Sequence, residues 1–144
     1  MGVLPRLSLF AYGFRPFFLG AACSALVLVP WWAANFSLGV SVATDWPPML
    51  WHAHEMLFGF TCAAIAGFLL TAVPSWTGRR GFAGGPLVLM TALWLLGRVL
   101  VASSASWPFA AVVAADLAFL PALAAFLAWP LLRERNRNTP LLLV

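Results

Sequence analysis

Four long apolar runs divide the chain, and most of its polar residues lie between them. Each run approaches the roughly 20 residues that a helix needs to cross the hydrocarbon core of a bilayer. The runs do not alternate as half-buried strands do, and four strands are too few to close a barrel. The pattern predicts an all-α fold, a polytopic transmembrane bundle of four helices at about 17–34, 49–73, 86–102 and 109–132.

Composition supports a membrane setting. Of the 144 residues, 63% are hydrophobic and 8% are charged, whereas soluble domains carry about 25% charged residues. A cleaved signal peptide is the alternative for the first run. That run is longer than a typical signal core, however, and Trp31 and Trp32 near its end resemble an interfacial anchor. Cys23 and Cys62 lie inside apolar runs without metal-site spacing, so we expect free, buried thiols.

The charge pattern predicts the orientation. The net charge of +4 comes from arginine, since the chain has no lysine. The arginines outside the apolar runs precede the first run or follow the second and fourth: Arg6, Arg15, Arg79, Arg80, Arg133, Arg135 and Arg137. Because cytoplasmic loops are enriched in basic residues, both chain ends and the second loop are predicted to be cytoplasmic. We expect the lipid bilayer as a partner, and no nucleic acid.

Two charged residues lie inside apolar runs. At 1.5 Å per residue, Arg98 falls about 8–10 Å and Asp116 about 10 Å from the predicted outer ends of their helices. An ionisable group at a helix centre costs roughly 2.5–3.5 kcal/mol, and somewhat less nearer the surface. We therefore predict an Arg98–Asp116 ion pair. Alternatively, Arg98 extends its side chain to the interface, and Asp116 is neutral and bonded to the Leu117 carbonyl that Pro121 frees.

Both histidines lie near the start of the second run. His52 and His54 would be about 200° apart on a straight helix, so they cannot face one metal unless the Pro47-Pro48 break unwinds the first turn. His52 would share a face with Glu55, Met56 and Gly59. Imidazole suits iron or copper, and the thioether of Met56 suits copper. The alternative is that both histidines are interfacial and bind water or headgroups.

Small residues recur every four positions in the second run, at Gly59, Ala63 and Gly67. Such spacing lets a neighbouring helix approach closely. The same face would also admit the edge of a flat cofactor such as a porphyrin. Helix packing and cofactor binding are both open at this point.

Several motifs together resemble the NnrS family. They are GFRPFFL at 13–19, WHAHEMLFGF at 51–60, AIAGFLLTAVP at 64–74 and WTG at 76–78. The resemblance implies a bacterial inner-membrane protein that carries haem and copper and acts in nitric oxide metabolism and the nitrosative stress response of denitrification. It makes His52 and His54 the candidate metal ligands, with Glu55 and Met56 supporting them. Arg98 would pair with Asp116 or bind a haem propionate.

The matching motifs correspond to roughly the N-terminal third of a family member. We therefore expect residues 1–144 to be a single transmembrane region from a truncated, longer protein, with 141–144 starting a fifth helix. The alternative function is a cofactor-free remnant, or a subunit that needs separately encoded helices or a homo-oligomer. A weaker alternative is a proton or ion pathway through Glu55, Arg98 and Asp116. No catalytic motif of an ordinary enzyme is present, so independent enzyme activity is not predicted.

Overall fold

The computed structural model describes residues 8–40 and 44–133. Its four long helices are α1 (Phe14–Leu38), α2 (Pro48–Thr77), α3 (Gly85–Ala102) and α4 (Phe109–Arg133). Short 3₁₀ turns at Ser8–Ala11 and Ser104–Ser106 precede α1 and α4, and the described residues contain no strand. All four helices are long and apolar enough to span a bilayer. The predicted all-α bundle of four helices is confirmed, while residues 141–144 lie outside the described part.

The helices extend beyond the apolar runs at several ends. α1 passes Pro30 and ends at Leu38, where Gly39 takes the left-handed conformation with φ of 70°. α2 continues through Pro74 to Thr77 and ends at Gly78, with φ of 65°. Glycine adopts this conformation without steric cost, so it commonly ends helices. Both helices thus continue about four residues beyond the predicted ends at 34 and 73.

α2 changes its winding in the middle. It is α-helical at Pro48–His54, π-helical at Glu55–Thr61 and α-helical again at Cys62–Thr77. The Thr61 hydroxyl donates to the Met56 carbonyl at 2.8 Å, and the Trp94 indole of α3 donates to the Phe58 carbonyl at 3.2 Å. π-Helical turns are rare and frequent at functional sites. This one lies directly after both histidines.

The hydrophobic core is built around α2. α2 contacts α1 and α4, and α3 packs mainly on α4. Phe17 of α1 stacks on Phe119 of α4 with ring centroids 5.7 Å apart, and both rings are buried with Leu70 of α2 and Leu87 of α3. Large apolar side chains such as Leu26 and Phe109 remain exposed on the outside. An apolar exterior around a packed interior suits contact with lipid.

α3 and α4 approach most closely at a glycine. A Cβ atom placed on Gly97 would lie 3.1 Å from the Asp116 Cα and 3.3 Å from the Ala115 carbonyl oxygen. Small residues at helix interfaces allow such approaches in membrane proteins. Because Arg98 follows Gly97 directly, the close approach brings its guanidinium next to α4.

Candidate functional site

Four ionisable side chains from three helices meet near one end of the bundle. They are His54 and Glu55 of α2, Arg98 of α3 and Asp116 of α4, and we call them the charge cluster. Arg98 donates from Nη1 to Glu55 Oε1 at 3.0 Å and from Nη2 to Asp116 Oδ1. His54 Nε2 lies 3.0 Å from Asp116 Oδ2, and its Nδ1 lies 3.3 Å from Glu55 Oε1.

The charge cluster is shielded from its surroundings. The Glu55 and Asp116 side chains are 3% and 8% exposed, and those of Arg98 and His54 are 12% exposed. Both ring nitrogens of His54 face carboxylate oxygens, which only accept hydrogen bonds when ionised. A doubly protonated His54 would give the cluster two positive and two negative charges. Such mutual satisfaction is what allows charges to persist away from water.

Arg98 and Asp116 are thus in direct contact, but not as an isolated pair. Glu55 shares the same guanidinium, which the matching helix depths did not indicate. Gly59 makes room for this arrangement, since a Cβ there would lie 3.1 Å from Glu55 Oε2 and 3.4 Å from Arg98 Cδ. Gly59 therefore lies directly against the side chains of Glu55 and Arg98, and a larger residue at this position would press on them.

His54 is oriented differently from expectation. A straight helix was expected to direct it away from the Glu55 face, yet its ring reaches both carboxylates. The imidazole is stacked on Phe58, with centroids 4.5 Å apart and planes 12° apart, and meets the edge of Trp46 at 4.9 Å. Successive helical residues point about 100° apart, so His54 and Glu55 can both contact groups that lie between them. Metal coordination by His54 would require giving up a carboxylate contact.

His52 lies outside the charge cluster. Its ring stacks on Trp32 of α1, with centroids 4.8 Å apart, and its buried Nδ1 has no hydrogen-bond partner. The buried indole nitrogens of Trp32 and Trp51 have none either. These tryptophans line a cavity of about 230 Å³ that we call the tryptophan pocket; it is formed by Trp31, Trp32, Asn35, Thr44, Trp46, Pro48 and Trp51.

The remaining predicted residues occupy different surroundings. Met56 is half-buried, and Ala63 is fully buried in the core. A Cβ on Gly67 would lie 2.8 Å from the Phe18 ring of α1. The face at Ala63 and Gly67 is therefore filled by helix packing, whereas Gly59 serves the charge cluster.

An apolar groove of about 460 Å³ separates α1 from α3. Residues such as Leu28 and Leu95 form its sides, and Glu55 and Arg98 are its charged members. The Nε atom of Arg98 is buried and has no hydrogen-bond partner. The groove thus brings a long apolar surface against the largely buried guanidinium of Arg98.

The arrangement has a limited capacity for metal. Within residues 8–40 and 44–133, no group of three or more His, Cys, Asp or Glu side chains forms a metal-binding set. Within those residues, His52 is the imidazole with a buried ring nitrogen, Nδ1, that has no protein partner. Sequence reasoning missed the indoles of Trp32 and Trp51 beside it. Trp51 directly precedes His52 in the sequence, which was the available signal, whereas Trp32 was predicted to be part of an interfacial anchor.

A family model described as NnrS protein matches residues 8–144. The chain belongs to the NnrS family. No curated protein and no solved structure matches it. The resemblance inferred from the motifs is therefore confirmed. Together with the four apolar helices, it makes the chain an NnrS-family membrane protein.

Proposed function

We propose that this NnrS-family chain contributes a metal ligand, His52, to a haem- or copper-containing membrane protein that acts in nitric oxide metabolism and the nitrosative stress response. The observation that supports this most directly is the contrast between the two imidazoles. His54 is held by two carboxylates, whereas His52 is stacked on Trp32 and its buried Nδ1 has no hydrogen-bond partner. A buried polar atom without a partner is unfavourable unless something binds it.

The described residues fit such a group at one position. His52 would supply the coordinating nitrogen, and Trp32 holds its ring in place by stacking. The apolar groove between α1 and α3, which His52 does not line, is a separate place that would accept a flat hydrophobic body, and Arg98 Nε is an unused donor in its wall. A bound haem or copper would supply the redox-active centre at which nitric oxide binds. The protein would supply orientation and exclusion of water.

The charge cluster has a supporting role in this proposal. It links α2, α3 and α4 next to His52 and fixes the start of α2 through Glu55. Ligands to metals are commonly positioned by surrounding hydrogen bonds, and losing those lowers metal affinity. Glu55 is thus a positioning residue, and the same follows for Arg98 and Asp116.

We also infer the orientation in a bacterial inner membrane. Arg15, Arg79, Arg80 and Arg133 all belong to the end of the bundle opposite the charge cluster. A concentration of arginine at one end is typical of the cytoplasmic side. The charge cluster and His52 would then lie toward the periplasm.

The test is the visible spectrum and metal content of the protein purified in detergent after expression with added haem and copper. We expect a Soret band or bound copper in the unaltered protein. His52→Ala should abolish it, while His54→Ala should retain most of it. Circular dichroism and size-exclusion chromatography establish that each variant is folded.

Two outcomes contradict the proposal in different ways. Absence of both haem and copper from the unaltered, folded protein favours a cofactor-free structural part. Retention of the cofactor in folded His52→Ala, with loss in folded His54→Ala, reverses the assignment of the ligand.

A further inference from the structure

A second pocket lies at the arginine-rich end of the bundle, opposite the charge cluster. It has a volume of about 490 Å³ and is formed by the last turns of α2 and α4 and the loop after α2. Its lining residues are Pro74, Thr77, Arg79, Arg80, Phe82, Ala125, Phe126, Trp129 and Pro130. Among the described residues, no acidic side chain lines it.

The positive charge of this pocket is positioned by the end of α2. Gly78 adopts a left-handed conformation, and the Arg79 N–H then donates to the Pro74 carbonyl at 3.0 Å. The turn places Arg79 and Arg80 beside the pocket directly beyond the apolar helix. Arg80 is exposed, so its guanidinium is accessible to a ligand.

The opposite wall is aromatic and apolar. Phe82 of the loop contacts Phe126 of α4, with ring centroids 4.6 Å apart, which connects the loop to the helix. Trp129 is 67% exposed on the outer face of α4. Tryptophan is enriched at the level of lipid headgroups, where its ring contacts both apolar and polar surroundings.

We propose that this pocket binds the headgroup of an anionic phospholipid. The lipid phosphate would contact Arg80, and an acyl chain would run along Phe126 and Trp129 toward the bilayer interior. Basic pockets between helices at the membrane surface are suited to acidic headgroups. The pocket lies where two helices of membrane-spanning length end, which in an inserted bundle would be the depth of the phosphate layer. The inference depends on membrane insertion and not on a bound metal.

The experiment compares lipids and charge-matched variants. Thermal unfolding of the detergent-purified chain is followed while phosphatidylglycerol, phosphatidylcholine or inorganic phosphate is added. We expect a rise in Tm with phosphatidylglycerol that the other two additives do not reproduce. Arg80→Gln should lower the apparent affinity for phosphatidylglycerol, obtained from the concentration dependence of Tm, roughly fivefold, equivalent to about 1 kcal/mol. Arg133→Gln removes the same charge at the same end, but Arg133 does not line the pocket, so this variant should retain the effect.

Several results would overturn the proposal. Equal weakening by both variants would mean a general response to surface charge. An equal rise in Tm with inorganic phosphate would identify a free anion as the ligand, and an equal rise with phosphatidylcholine would exclude charge recognition.

Brominated lipids provide a measurement that does not depend on the stability of the arginine variant. In vesicles, brominated phosphatidylglycerol should quench tryptophan fluorescence more than brominated phosphatidylcholine. Trp129→Phe should reduce that difference, and an unchanged difference would place the bound lipid elsewhere.

Discussion

The charge cluster and the tryptophan pocket lie near the same end of the bundle, but they differ in whether their polar atoms have hydrogen-bond partners. In the charge cluster, four ionisable side chains pair with one another across three helices. At the tryptophan pocket, the buried indole nitrogens of Trp32 and Trp51 and the Nδ1 atom of the adjacent His52 have no protein partner. Polar groups without partners are costly where water is absent. This difference is in line with the proposal that the charge cluster has a structural role and that a ligand binds beside His52.

Removing the central cation of the charge cluster should have the largest effect. Arg98→Met leaves Glu55 and Asp116 without their shared partner, and removing one member of a buried ion pair costs roughly 3–5 kcal/mol. The loss should appear as a much lower midpoint when the detergent-solubilised protein is unfolded by a denaturing detergent. Arg133→Met, at an exposed position at the other end, should change that midpoint little.

A triple variant separates charge from packing at Arg98. Adding Glu55→Gln and Asp116→Asn to Arg98→Met removes both unpaired carboxylates and should recover part of the lost stability. If the triple variant is as unstable as Arg98→Met, the cost comes from the volume of the arginine side chain. The charge cluster would then have no electrostatic role.

The approach of α3 to α4 predicts a smaller effect. Gly97→Ala would place its Cβ 3.1 Å from the Asp116 Cα, against backbone that cannot easily move. Inserting a methyl group into a tight contact costs about 1–3 kcal/mol. Gly81→Ala is the matched control, because nothing lies within 4 Å of its Cβ. Equal unfolding midpoints for the two variants would contradict the close approach.

The sequence predicted the four helices but less of their ends and contacts. Apolar runs of membrane-spanning length determine that helices form, because the bilayer leaves backbone groups no other partner. Helix ends depend on local backbone conformation, so Gly39 and Gly78 define ends that hydropathy placed earlier. The similar depths of Arg98 and Asp116 agree with their contact in the charge cluster, but they did not indicate the other two members.

The participation of Glu55 and His54 was not predictable in the same way. It depends on which side chains of α2 point toward α3 and α4. The π-helical turn at Glu55–Thr61 changes the number of residues per turn, and therefore changes which residues share a face of the helix. The available local signals were Gly59, which leaves space, and Thr61, whose hydroxyl bonds five residues back to Met56. Periodicity counted at 3.6 residues per turn cannot detect such a turn.

Two tryptophans provide the finest test of the contrast between bonded and unbonded nitrogens. Trp94 donates to the Phe58 carbonyl in the π-helical turn, whereas the buried indole nitrogen of Trp51 donates to no group. Both side chains are nearly fully buried, at 5% and 4% exposed, so Trp→Phe removes a similar volume from each. In cofactor-free protein, Trp94→Phe should lose about 1 kcal/mol more than Trp51→Phe, because only Trp94 loses a hydrogen bond. Equal losses in unfolding midpoint would show that the Trp51 nitrogen has a partner in solution. The unbonded nitrogens would then no longer distinguish the tryptophan pocket as a place where a ligand binds.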